Sequence, residues 1–101
     1  MKQILVRYKT KPERAQDNAQ LVERVFAELH ANSPDNVRYL CLKLEDGTFV
    51  HFAAIGSTDG PCPITSLDTF RTFQSGIAER CVEGPQVQNA TIIGHYRMVA
   101  E

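Results

Sequence analysis

The sequence predicts an α+β domain: one antiparallel sheet with two helices on the same face. Three observations predict it. Two strand-forming runs flank Glu45-Asp46-Gly47-Thr48, and Asp-Gly between alternating apolar runs is a hairpin signal. A strand-forming run and then an amphipathic stretch precede this hairpin, and an amphipathic stretch and then a strand-forming run follow it. The order strand, helix, strand, strand, helix, strand is the split βαβ pattern of a ferredoxin-like βαββαβ fold.

Residues 3 to 9 read as the first strand, with Ile4, Val6 and Tyr8 on one face and Leu5, Arg7 and Lys9 on the other. Thr10 is the expected N-cap of the first helix, with Pro12 in its first turn and Glu13 where the helix dipole favours negative charge. That helix runs to about Ala31. Ala15, Asn18, Val22, Val25, Phe26 and Leu29 form its buried stripe, and Glu23, Arg24 and Glu28 stay outside. Turn-forming residues 32 to 36 end it.

Two registers are open to the hairpin. A two-residue Asp46-Gly47 turn sets Leu42 against His51, whereas a type I turn with Gly47 as a left-handed bulge residue sets Leu40 against Phe52, Leu42 against Val50 and Leu44 against Thr48. Only the bulged register gives one consistently apolar face, so it is the expected one. Tyr39, Cys41, Lys43, Phe49, His51, Ala53 and Ile55 then share the other face.

Residues 56 to 64 read as a loop. The second helix starts at Thr65 or Ser66, with Asp68 completing a capping box, carries Leu67, Phe70, Phe73 or Gln74, Ile77 and Cys81 on its stripe, and stops at Gly84-Pro85. The last strand runs roughly from Val87 to Val99 with a bend at Gly94, and places Thr91, Ile93, His95 and Arg97 on one face.

Two helices cover one side of a sheet. The expected bare side carries Tyr39, Cys41, Phe49, Ala53, Ile55 and Ile93, an apolar surface of roughly several hundred Å2, the size that marks an interaction site. A second copy packing sheet to sheet would cover it, so a homodimer is expected.

The chain has 101 residues, the length of one domain (1–101), and a net charge of −1. Without a basic stripe bearing aromatics, nucleic acid is not an expected partner. The Met-Lys-Gln-Ile-Leu-Val start has no leader form, and no span is long enough for a membrane, so a cytoplasmic protein is expected. Cys41, Cys62 and Cys81 are odd in number and widely spaced, which suits reduced thiols rather than a disulfide framework.

The element order, the Asp-Gly hairpin leading into Thr48-Phe49-Val50-His51, the Phe70-Arg71-Thr72-Phe73-Gln74-Ser75-Gly76-Ile77 segment with Arg80-Cys81, and the final Gly94-His95-Tyr96-Arg97 resemble the dimeric α+β barrel superfamily. Within it the chain is similar to small proteins of the antibiotic biosynthesis monooxygenase type, many of them uncharacterised. The resemblance implies a homodimeric barrel, and the superfamily holds cofactor-free quinol-forming oxygenases, haem-degrading enzymes, isomerases and members of no known activity. The chain has no tryptophan, which the oxygenases and haem degraders place in the pocket, and its second helix lacks the haem degrader's histidine. Haem is therefore not an expected ligand; no cofactor and no metal are expected.

The candidate site is a small, mostly apolar pocket between the sheet and its second helix. His51 is the expected proton acceptor, Tyr39 its hydrogen-bond partner and Arg97 the group that orients an anion, with Arg7 or Lys43 adding positive potential. His95, two residues from Arg97, Cys41 beside His51, and the walls Phe70 and Phe73 complete it. Each has a plainer reading: a structural hydrogen bond for His51, an interface ion pair for Arg97, core packing for the aromatics and Cys41. A metal set of His51, His95 and Cys41 lacks ligand spacing. The expected ligand is a small aromatic or polyketide-like compound, oxidised without a cofactor; the alternative is a non-catalytic, dimeric binding or stress-associated module.

Overall fold

The computed structural model describes residues 2–56 and 62–98. Alternating apolar residues make Lys2–Thr10 the first strand, β1. Thr10 does not cap the helix that follows. It ends β1, where its amide (3.0 Å) and hydroxyl (3.2 Å) both donate to the Gly47 carbonyl. Pro12–Arg14 form a 3-10 turn that leads into helix α1, Ala15–Asn32. The buried residues of α1, Asn18, Val22 and Val25, lie on the predicted stripe.

Strands β2 (Val37–Lys43) and β3 (Thr48–Ile55) form the hairpin in its bulged register: Leu40 faces Phe52 and Leu42 faces Val50. Gly47 has φ +87°, a left-handed conformation that strains any residue with a Cβ. The sheet order is β2-β3-β1-β4, antiparallel throughout, as the ferredoxin-like fold requires.

The second helical segment is shorter than predicted. Helix α2, Asp68–Ser75, begins without the capping box. Its Thr69 amide and hydroxyl instead bind Glu28 Oε1 of α1, at 3.0 and 2.6 Å, so Glu28 ties the two helices rather than standing outside. Gly76 interrupts the helix before a last turn, α3, Ile77–Arg80. A Cβ on Gly76 would lie 3.0 Å from the Arg80 guanidinium, which passes over it.

Strand β4 is Cys81–Asn89, six residues earlier than predicted. Gly84-Pro85 do not stop a helix. They fall where the β1–β4 register shifts between Arg7 and Lys9, on an edge strand, where proline costs no ladder bond. Because β4 starts opposite Thr10, it uses up β1 by Asn89. The chain then leaves the sheet, with the amides of Ala90 and Ile92 held by Gln3. Residues 90–98 run as a tail under the sheet, so the predicted strand face of Thr91, Ile93, His95 and Arg97 does not form; its end at Val99, like part of the predicted 56–64 loop, lies outside the described residues.

The hairpin faces are the reverse of those expected. Tyr39, Phe49 and His51 point to the helices and pack with Tyr8, Val22, Val25, Leu67 and Phe73, and Phe49 is 1% exposed. Leu40, Leu42 and Leu44 face away and are exposed. Both faces are apolar, so alternation alone does not choose between them. Polar pairing distinguishes them: the Tyr8 hydroxyl on one face accepts from Asn18 of α1, and the His51 imidazole beside it bonds to the Tyr8 and Tyr39 hydroxyls. No helix among the described residues is long and apolar enough to cross a membrane.

Candidate functional site

The β3 pleat turns Phe49, His51, Ala53 and Ile55 toward the helices. The ladder then fixes what surrounds the imidazole. His51 lies opposite Val6 on β1 and Cys41 on β2. Tyr8 is opposite Phe49, and Tyr39 is opposite Ala53, so the two tyrosines stand on opposite diagonals of His51. Diagonal neighbours are within reach of aromatic side chains. The phenols accordingly bracket the ring: Tyr8 Oη is 2.8 Å from Nε2 and Tyr39 Oη is 2.6 Å from Nδ1. Cys41 Sγ lies 3.4 Å from Nε2.

The helices complete this network. Asn18 of α1 donates from Nδ2 to Tyr8 Oη at 2.8 Å and accepts at Oδ1 from Arg80 Nε at 3.0 Å. The Arg80 guanidinium also donates to the Phe73 carbonyl and lies 5.4 Å over the Phe73 ring. Asn18, His51 and Arg80 are all buried. Among the described residues, no buried side-chain nitrogen or oxygen is left without a partner.

Burial keeps the imidazole, the two phenols and the Cys41 thiol of this network neutral. It holds the His51 imidazole down at about 4, so the ring is uncharged at pH 7. It pushes the Cys41 thiol up to about 11 and raises the phenols of Tyr8 and Tyr39 well above their ordinary range. The Cys62 thiol differs: burial raises it, but bonds from the Thr65 amide and hydroxyl and the Ile64 amide outweigh that and lower it.

A cavity of about 200 Å3 opens between the sheet and α2. Ile4, Val6, Ala53, Ile55 and Val87 form its sheet wall, and Ile64, Phe70, Phe73 and Ile77 form the opposite wall. Tyr8, Tyr39, His51, Cys62, Thr65 and Gln74 are its polar lining, and no charged side chain among the described residues lines it.

The structure therefore brings together His51, Tyr39, Phe70 and Phe73 at this cavity, with Cys41 against the imidazole. It does not bring His95 or Arg97 there. Both sit in the exposed tail on the other side of the sheet, where Arg97 lies over the Tyr96 ring at 5.2 Å. The reason is the early end of β4, which removes the strand that was to present them. The set His51, His95 and Cys41 is thus not assembled, and among the described residues no group of three His, Cys, Asp or Glu side chains could hold a metal. Arg7 points to the helix-free face, and Lys43 does not line the cavity.

No protein-family model matches the chain, and no curated protein is similar to it in sequence. Solved structures do match. A candidate antibiotic biosynthesis monooxygenase from Caulobacter crescentus superposes with a TM-score of 0.71 at 14% identity, covering 91% of this chain and 89% of that one. A candidate antibiotic biosynthesis monooxygenase from Nitrosomonas europaea gives 0.71 at 14% identity, with 90% and 88% covered. The chain has the antibiotic biosynthesis monooxygenase-like fold. A third match, a protein of unknown function from Nitrosomonas europaea, reaches 0.70 at 16% identity, with 97% and 94% covered. This monooxygenase-like fold is thus shared by proteins whose activity is named and by one whose activity is not, and chemistry has to be argued from the site.

Sequence reasoning missed Asn18 and Arg80. The available signal was an asparagine on an otherwise apolar helical stripe, which calls for a buried partner.

Proposed function

We propose that this protein binds a small, neutral aromatic compound in the cavity between sheet and α2. The observation that carries this reading is the lining: mostly apolar walls with a few polar groups, among them the hydrogen-bonded pair Tyr39 and His51, and no charge among the described residues. That is the usual form of a small-molecule site. A cavity of roughly 150 Å3 already admits benzene, so about 200 Å3 suits a single substituted ring rather than a fused polyketide. Both ring nitrogens of His51 are bonded to tyrosines, which favours Tyr39 as the group that meets the ligand and His51 as the residue that positions it.

A second reading, a cofactor-independent monooxygenase, is favoured by the likeness to candidate monooxygenases. It would convert a phenol and O2 to a quinone and water, with His51 as proton acceptor. Oxygen uptake with phenol separates the two. Binding alone predicts uptake no faster than in buffer for wild type and His51→Ala; uptake by wild type that is lost in His51→Ala would establish the oxygenase.

The same reading includes a homodimer, formed through the helix-free face rather than the face named from sequence. Leu5, Leu40, Leu42, Val50 and Phe52 lie there beyond the reach of either helix, and Ile93 in the tail is 99% exposed. A second copy would shield this surface from water. A cytoplasmic setting fits the three free thiols.

A further inference from the structure

The bonds around His51 have a direction, set at Arg80. A guanidinium has donors only, so Asn18 must turn its carbonyl oxygen to Arg80 and its NH2 to Tyr8. A phenol has one proton. With Asn18 donating into Tyr8 Oη, that proton goes to the other partner of the oxygen, His51 Nε2. Nε2 is then an acceptor, and a neutral imidazole carries its single proton on Nδ1. Nδ1–H donates to Tyr39 Oη at 2.6 Å. The Tyr39 hydroxyl has no second partner among the described residues, and Tyr39 lines the cavity.

We infer that Arg80, Asn18, Tyr8 and His51 form a one-way chain that makes Tyr39 a hydrogen-bond donor to the cavity, so the site selects an uncharged ring bearing an acceptor oxygen, a carbonyl before all. Each link polarises the next, which strengthens the terminal donor. A lining without a cation among the described residues disfavours a carboxylate in that place. This ligand preference rests on the cavity reading above; the direction of the chain does not.

Asn18→Asp tests the direction. Aspartate is close in shape, keeps an acceptor for Arg80, and has no donor for Tyr8. Tyr8 must then give its proton to the new carboxylate, Nε2 must carry a proton, and Tyr39 is freed to donate to Nδ1. The reading is the protonation of His51 by nitrogen NMR at pH 7, with binding of acetophenone and of ethylbenzene, its near-isostere without the carbonyl, measured alongside. Wild type should show Nδ1–H and favour acetophenone by about fivefold, the worth of one neutral hydrogen bond. Asn18→Asp should show a proton on Nε2, and both it and Tyr39→Phe should lose the preference. Wild-type His51 protonated on Nε2 would overturn the chain, and needs no variant to fold. Equal binding of the two compounds to wild type would overturn the selectivity. If neither compound binds while wild type shows Nδ1–H, the cavity reading and its ligand preference fall and the chain stands.

Discussion

Lowering the pH from 7 to 4 should destabilise this protein through one side chain. His51 is 6% exposed, its ring contacts Tyr8, Tyr39 and Cys41, all neutral, and no carboxylate among the described residues bonds to it. Its ionisation is held at about 4 by burial, against an ordinary value of 6.5. Between these values the unfolded chain binds a proton at this position and the folded chain does not. Stability is therefore whole above pH 6.5 and falls as the pH drops through the window toward 4. A gap of that size corresponds to about 3 kcal/mol, a large share of the net stability of a small domain. Urea unfolding of wild type and His51→Gln at several pH values between 4 and 7 measures it. The difference in slope between the two proteins isolates His51, because every other side chain is common to both. Parallel slopes would refute the reasoning and mean that the ring is solvated or charged in the folded protein.

Two further outcomes follow from the fold. Gly47→Ala places a Cβ at φ +87° in the turn that sets the hairpin register, and should lower stability by about 1–2 kcal/mol in thermal or urea unfolding; an unchanged midpoint would contradict the bulged turn. Leu42→Asp on the helix-free face should convert a dimer to a monomer in sedimentation without disturbing the cavity, whereas a wild type that sediments as a monomer would remove the dimer altogether.

Much of this fold was legible in the residues because it depends on local chemistry. Asp46-Gly47 marked the hairpin, the apolar alternation of its strands chose the bulged register, and the spacing of Val22 and Val25 specified the buried side of α1. The face of the sheet that meets the helices was not legible. Both faces are apolar, and the choice rests on a polar network in which Asn18 of α1 reaches Tyr8 and Arg80 of α3 reaches Asn18. His95 and Arg97 were misplaced for a related reason. A period of two places them together only while the chain stays a strand, and how long β4 lasts depends on where it begins against β1. The hairpin register placed His51 beside Tyr39 and the helical stripe placed Phe70 beside Phe73, but it is the face choice that brings the two pairs together at the cavity.

Whether the space beside α2 takes up a ring decides the function of this site. A crystal soaked with phenol measures this directly. It should show the ring between Phe73 and the β1–β3 wall, with its oxygen within hydrogen-bond distance of Tyr39 Oη. A cavity filled by the protein's own side chains, or a ring whose oxygen turns away from Tyr39, would contradict it.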